Sequence, residues 1–174
     1  MLRPLTLEDA PAIQHLAGAR EVAATTLTIP HPYTLAAAEQ WIKGSQATGL
    51  EGTGFVLGVV LRETWDLIGV VGLGIQAAHG RAEIGYWIGL PYWNKGYCTE
   101  AAEAMLEHAF TVLGLNRIYA FHFRDNPASG RVMQKMGMVR EGCLRQHDCK
   151  WGEYKDVETY GILAAEWRAR HARR

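Results

Sequence analysis

Two segments of this chain set polar groups where a strand gives way to a helix. The first is Trp93-Asn94-Lys95-Gly96-Tyr97-Cys98-Thr99-Glu100. A glycine-containing turn feeding a helix N-terminus leaves several backbone N–H groups without partners. The positive end of the helix dipole adds to them, and the combination favours a phosphate. Thr99 can add a hydroxyl donor. An ordinary strand-to-helix loop capped by Thr99 accounts for the same residues equally well. The segment is not a Walker loop, because the spaced glycines and the following Lys-Ser/Thr pair are missing. Gly72-Leu73-Gly74 is not a dinucleotide fingerprint either, since no third glycine follows at the required spacing.

The second segment runs from Asn126 to Met138. Asn126 and Ser129 are three residues apart at a helix start and so share one face. Taken alone, Asn126 reads as an N-cap and Ser129 as a first-turn polar residue. The three cysteines, Cys98, Cys143 and Cys149, are odd in number and form no C-x-x-C pair. That argues against a disulfide framework or a thiolate zinc site and suits a reducing cytoplasm. His147-Asp148-Cys149 sets three metal-ligating residue types side by side, but neighbouring side chains in a strand point to opposite faces. No metal is expected.

The elements that must position these groups follow from periodicity. Met1 to Leu5 reads as a short strand. A helix start follows over Thr6 to Pro11, with Asp9 as a cap and Pro11 in the first turn. Thr34 caps a second helix through Trp41-Ile42. Phe55–Leu61, Leu67–Ile75 and Arg81–Leu90 are β-rich runs separated by turns, which predicts an antiparallel meander. From Thr99 the apolar residues Ala102, Met105, Leu106, Ala109, Phe110 and Leu113 recur at three- and four-residue spacing, the signature of one helix face, and Gly114 ends it. Arg117–Phe123 is a strand, Asn126-Pro127 opens a short helix that Gly137 closes, and Met138–Leu144 pairs with Tyr154–Leu163. The order β-α-α-β-β-β-α-β-α-β-β predicts a mixed α/β sheet with helices on both faces.

The chain has 174 residues with neither repeat nor linker, which fits one domain over residues 1–174. Its formal net charge is zero, which gives no general attraction to nucleic acid or anionic membrane, and neither is expected as a partner. The basic run Arg168 to Arg174 reads as a solvated tail. No charged-then-apolar leader opens the chain, and no apolar run is long enough to span a bilayer. A cytoplasmic protein is expected.

Together the two segments resemble the acyl-CoA-binding motifs of the GNAT N-acetyltransferases. Glu83-Ile84-Gly85-Tyr86-Trp87-Ile88, Trp93 to Ala101, and Asn126 to Met138 look like the RimJ/RimL branch, which acetylates ribosomal-protein N-termini. Glu141 to Arg145 and Trp151 to Val157 are similar to that branch as well. The resemblance covers essentially the whole chain. It implies a mainly antiparallel sheet of about seven strands, splayed at its centre, an acetyl-CoA co-substrate, an amine acceptor and a homodimer. Backbone groups near Ile88 and Leu90 would pair with the pantetheine arm, and an N–H near Ile88 would polarise the thioester carbonyl. Lys95, Gly96, Tyr97, Cys98 and Thr99 would wrap the pyrophosphate, and Asn126 would bond the pantetheine amide. Arg131 and Lys135 are near enough to Asn126 to meet phosphates, though a solvated helix face explains them too.

Two departures from the superfamily pattern bear on chemistry. Trp93 stands where the loop usually begins with Gln or Arg. Cys98 stands where Gly or Ala is usual, and a helix N-terminus lowers a thiol's pKa, which leaves an acetyl-cysteine route open. Met133 occupies the position of the tyrosine that reprotonates the leaving thiolate in many members, and it has no proton to give. Ser129 is the expected substitute. An attacking amine must first lose a proton, and Glu83 is the candidate base, with Gly85 leaving space on the same strand face. A small-molecule acetyltransferase and a non-catalytic acyl-CoA-binding module remain as alternatives.

Overall fold

A computed structural model describes residues 1–172. The chain opens on β1 (Leu2–Pro4), passes through one 3-10 turn, and forms α1 (Ala10–Ala17), α2 (Arg20–Ala24) and α3 (Leu35–Leu50). Next come β2 (Gly54–Val60), β3 (Leu67–Gln76) and β4 (Arg81–Ile88). Then follow α4 (Tyr97–Thr111), β5 (Arg117–Phe123), α5 (Pro127–Lys135), β6 (Val139–Lys150), β7 (Glu153–Leu163) and α6 (Ala164–His171). The strands form one sheet in the order β1-β2-β3-β4-β5-β7-β6. Every pairing is antiparallel except β4 with β5. A parallel pair needs a crossover, and α4 supplies it.

Two apolar clusters hold the layers. On one face α1 and α3 bury Ile13, Ala17, Ala38 and Ile42 against Val60, Leu67 and Val70. On the other, α4 buries Ala102, Met105, Leu106 and Ala109 against Val71, Ile84 and Ile118, with Met133 of α5 and Met136 just after it in the same cluster. The predicted α4 stripe is therefore the buried face. Thr34 caps α3 by accepting from the Ala37 N–H at 3.2 Å. The β6–β7 hairpin turns through Trp151 and Gly152, both at positive φ, as a two-residue turn between twisted strands requires.

Four expectations change. The sequence reading had no α2, a five-residue helix burying Val22 and Ala23. β4 ends at Ile88, and Leu90 opens a separate 3-10 turn over Leu90–Tyr92. β6 runs on to Lys150, with bulges that let a polar segment keep pairing with β7. The basic C-terminal stretch, expected to be a solvated tail, is helical as far as residue 171 with its side chains mostly exposed. Ala164 and Trp167 of α6 are buried, and Trp167 packs on Phe110 at 5.6 Å. Arg170 Nη2 donates to the Lys135 carbonyl at 2.6 Å, capping the end of α5. Arg173 and Arg174 lie outside the described residues.

Candidate active site

The sheet opens at its centre. β4 pairs with β5 only through Arg81↔Arg117, Ala82↔Ile118 and Glu83↔Tyr119. Beyond that point β4 stays with β3 as far as Ile88, and β5 stays with β7 as far as Phe123. Each strand has its other neighbour to follow, so the two diverge. The Gly89 N–H donates to the Ile68 carbonyl at 2.8 Å. On that register Trp87 and Gly85 turn their peptide groups to β3, so Ile84, Tyr86 and Ile88 turn theirs toward the gap. Trp93 Nε1 donates to the Ile88 carbonyl at 2.6 Å and pins the end of β4. Leu90 is less available, because its carbonyl accepts from the Trp93 N–H at 3.2 Å.

The α4 N-terminus follows directly. Gly96 is the N-cap at φ +85, and no side chain caps the helix. The Glu100 N–H bonds the Gly96 carbonyl, so the N–H groups of Tyr97, Cys98 and Thr99 precede the first intrahelical bond. A Cβ built on Gly96 would have nothing within 4 Å. The exposed turn is open to a ligand, and Lys95 Nζ lies 5.7 Å from the Tyr92 ring centroid beside it. Thr99 lies in the first turn and is not the cap. Cys98 departs from the expected activation. Its thiol is sheltered from water, and burial pushes its pKa up to about 12.

Across the gap, Asn126 is the N-cap of α5, accepting from the Ser129 N–H at 3.4 Å. Ser129 Oγ is 3.2 Å from the Tyr86 hydroxyl. Tyr86 reaches it from β4, and burial raises its pKa. Sequence reasoning missed Tyr86. Its only signal was its even-numbered place beside Ile84 and Ile88, which is also the signal of a core residue. Met133 is 1% exposed and fills core. Arg131 lines a shallow pocket with His122, Arg124, Arg140 and Glu158.

The face of the sheet away from α4 carries Glu83, exposed along part of its side chain. Its flanking strands still strip enough water from the carboxylate to raise its pKa. Gly85 beside it faces open space. No helix covers this face over β5, β7 and β6, where Phe121, Val139 and Leu144 are exposed. The β6–β7 hairpin tip closes one end. Buried Lys150 donates from Nζ to the Leu27 and Ile29 carbonyls at 3.1 and 2.7 Å, and Arg20 and His31 flank Trp151. Among the described residues no group of three or more His, Cys, Asp or Glu is placed to hold a metal. Nor is any helix there long and apolar enough to cross a membrane.

A central splay beside an uncapped helix N-terminus defines a class of acyl-CoA-dependent transferases, and the comparisons agree. The profile of the family described as "Acetyltransferase (GNAT) domain" matches residues 1–139. An uncharacterized N-acetyltransferase of Bacillus subtilis, YoaA, is 35% identical over 164 residues, 94% of this chain and 92% of its own length. The ribosomal-protein-serine acetyltransferase of Escherichia coli is 34% identical over 100 residues, 56% of this chain and 55% of its own. The spermidine N-acetyltransferase of Vibrio cholerae, crystallised with CoA and spermine, superposes with a TM-score of 0.84 at 25% identity over 97% of both chains. The chain belongs to the GNAT acetyltransferase family and is an acetyl-CoA-dependent N-acetyltransferase.

Proposed function

We propose that this enzyme acetylates the N-terminal α-amine of a protein or peptide by direct attack on acetyl-CoA. The observation that carries the reading is the open, uncovered sheet face beside Glu83. An extended chain end fits across it, and Glu83 stands where the incoming ammonium must shed a proton. An α-amine has a pKa of about 7.7–8.0, against about 10.4 for a lysine side chain, so a single carboxylate acting through water suffices. A polyamine needs unpaired acids along its length. Here Glu141 is bound to Arg117, while Asp125 and Glu153 are bound to Lys155.

The diphosphate of acetyl-CoA lies on the N–H groups of Tyr97, Cys98 and Thr99, with Lys95 and Gly96 forming the turn around it. The pantetheine arm fills the splay, bonding the peptide groups of β4 around Ile88 and the Asn126 side chain. The Ile88 N–H faces the thioester carbonyl and stabilises the oxyanion of the tetrahedral intermediate. Ser129 returns a proton to the departing thiolate. Leu90 borders the arm through its turn. Residues 1–174 act as one domain, in the cytoplasm, as a homodimer.

Thiol release from acetyl-CoA, measured with N-terminal peptides, polyamines, amino acids and aminoglycosides, tests the reading. Turnover with peptides at least tenfold above every small amine supports it. A preference for a polyamine overturns the acceptor, and binding of acetyl-CoA without turnover on any amine leaves a binding module. A monomer mass by light scattering overturns the dimer.

A further inference from the structure

The tip of the β6–β7 hairpin carries positive charge that no carboxylate offsets. Lys150 is 6% exposed, and its Nζ donates to two backbone carbonyls, those of Leu27 and Ile29. Burial lowers its pKa, and no neighbouring acid acts against that shift. Its Nζ lies 5.1 Å from the Trp151 ring centroid, and the Arg20 Cζ lies 5.5 Å from the same ring. Among the described residues neither Lys150 nor Arg20 belongs to an ion pair, and Glu153 at the tip bonds Lys155 at 2.9 Å instead. Trp151 is 47% exposed and stands at φ +53, where Gly or Asn would fit the turn at less cost. A half-exposed ring in a strained turn gains little from packing there.

The tip shares a sheet face with the acceptor opening. Lys150 is opposite Glu153, and Glu153 alternates with Lys155, Val157 and Thr159 on one side of β7. Thr159 is opposite Phe121, and Phe121 shares its side of β5 with Tyr119, the register partner of Glu83. Resting on the peptide acceptor proposed above, we propose that Arg20, Lys150 and Trp151 form a subsite for a carboxylate side chain of the acceptor, so that the enzyme selects acidic N-terminal segments. The Arg20 guanidinium can hold a carboxylate through two parallel N–H groups. The buried Lys150 charge adds an attraction that salt screens weakly, and the Trp151 ring covers the acid's methylenes. Along β7, Glu153 lies four residues from Val157 and six from Thr159, a span of about 13–20 Å at about 3.3 Å per residue. An extended acceptor with its amine at the opening therefore brings roughly its fourth to sixth residue to the tip.

Steady-state acetyl transfer to a panel of N-terminal peptides tests this, each peptide carrying one Asp moved stepwise along its length against an Asn control. Where the Asp reaches the tip, at roughly the fourth to sixth residue, the acceptor KM should fall about fivefold, the reach of one partly solvated ion pair. The kcat and the acetyl-CoA affinity should not change, and the gain should shrink as salt rises. Arg20→Gln should remove most of the preference, and Arg20→Lys should keep part of it. Arg20→Glu should abolish the preference for Asp and favour Lys at the same place in the peptide. Arg20 is exposed, and a wild-type melting temperature for each variant checks that the fold is kept. No preference for Asp at any position, or one that Arg20→Gln and Arg20→Glu leave intact, overturns the subsite while the peptide acceptor stands. Transfer to small amines but to no peptide overturns the proposed acceptor, and the subsite with it.

Discussion

Gly96→Glu, compared with Gly96→Ala, isolates the electrostatics of the α4 N-terminus. Gly96 sits at φ +85 with open space where a Cβ would stand. Either substitution therefore meets no clash but carries the left-handed strain of an L-residue, about 1–2 kcal/mol. The alanine variant carries that strain alone, and the glutamate adds one negative charge beside the diphosphate. At about 6 Å in water two unit charges repel by about 0.7 kcal/mol, and by several times that where the protein lowers the effective dielectric. Two phosphate charges give about 1.5–3 kcal/mol, roughly halved by physiological salt with its Debye length of about 8 Å. Calorimetry should find CoA binding about tenfold weaker in Gly96→Glu than in Gly96→Ala. The gap should narrow as salt rises. Acetyl-pantetheine, which lacks the diphosphate, should bind both variants alike. Equal CoA affinity for the two at low salt would refute the placement of the diphosphate on this turn.

Three further outcomes follow from the site. Glu83→Gln should lower turnover, by up to about 10²-fold, most at low pH where little amine is free. The loss should shrink as pH approaches the amine's own pKa, and a flat pH response would move the base elsewhere. Cys98, pushed up to about 12, holds almost no thiolate at pH 8, whereas Cys149 is exposed. Alkylation followed by mass spectrometry should therefore label Cys149 and spare Cys98 in the native protein, and rapid labelling of Cys98 would reopen the acetyl-cysteine route. Lys150→Met removes two charge-assisted bonds to the Leu27 and Ile29 carbonyls. It should lower stability by about 1–3 kcal/mol by denaturant titration and raise the acceptor KM while sparing acetyl-CoA affinity; unchanged acceptor KM would limit the contact to a structural role.

The placement of α4 and α5 was legible because each carries its own boundary signals. Gly96 before the α4 stripe, Asn126-Pro127 before α5 and Gly137 after it act over four residues or fewer, the range over which backbone hydrogen bonding is local. The helix α6 was not legible for the opposite reason. The docking of that helix depends on Phe110 and the end of α5, which are distant in the sequence. Cys98 shows the same limit. A helix N-terminus can be read from sequence, but the surroundings that strip water from the thiol and raise its pKa cannot.

The sequence by itself determined the alternation of strands and helices, the glycine turn before α4, and the Asn126–Ser129 pair on one helix face. All of these rest on period and near-neighbour geometry. Only the tertiary structure decided where the sheet opens, because the separation of β4 from β5 after Glu83 depends on β3 and β7 each claiming a neighbour. It also decided that the Tyr86 hydroxyl meets Ser129 across that opening. Residues 43 positions apart come together through sheet order and helix packing, and neither is written in the spacing of either segment.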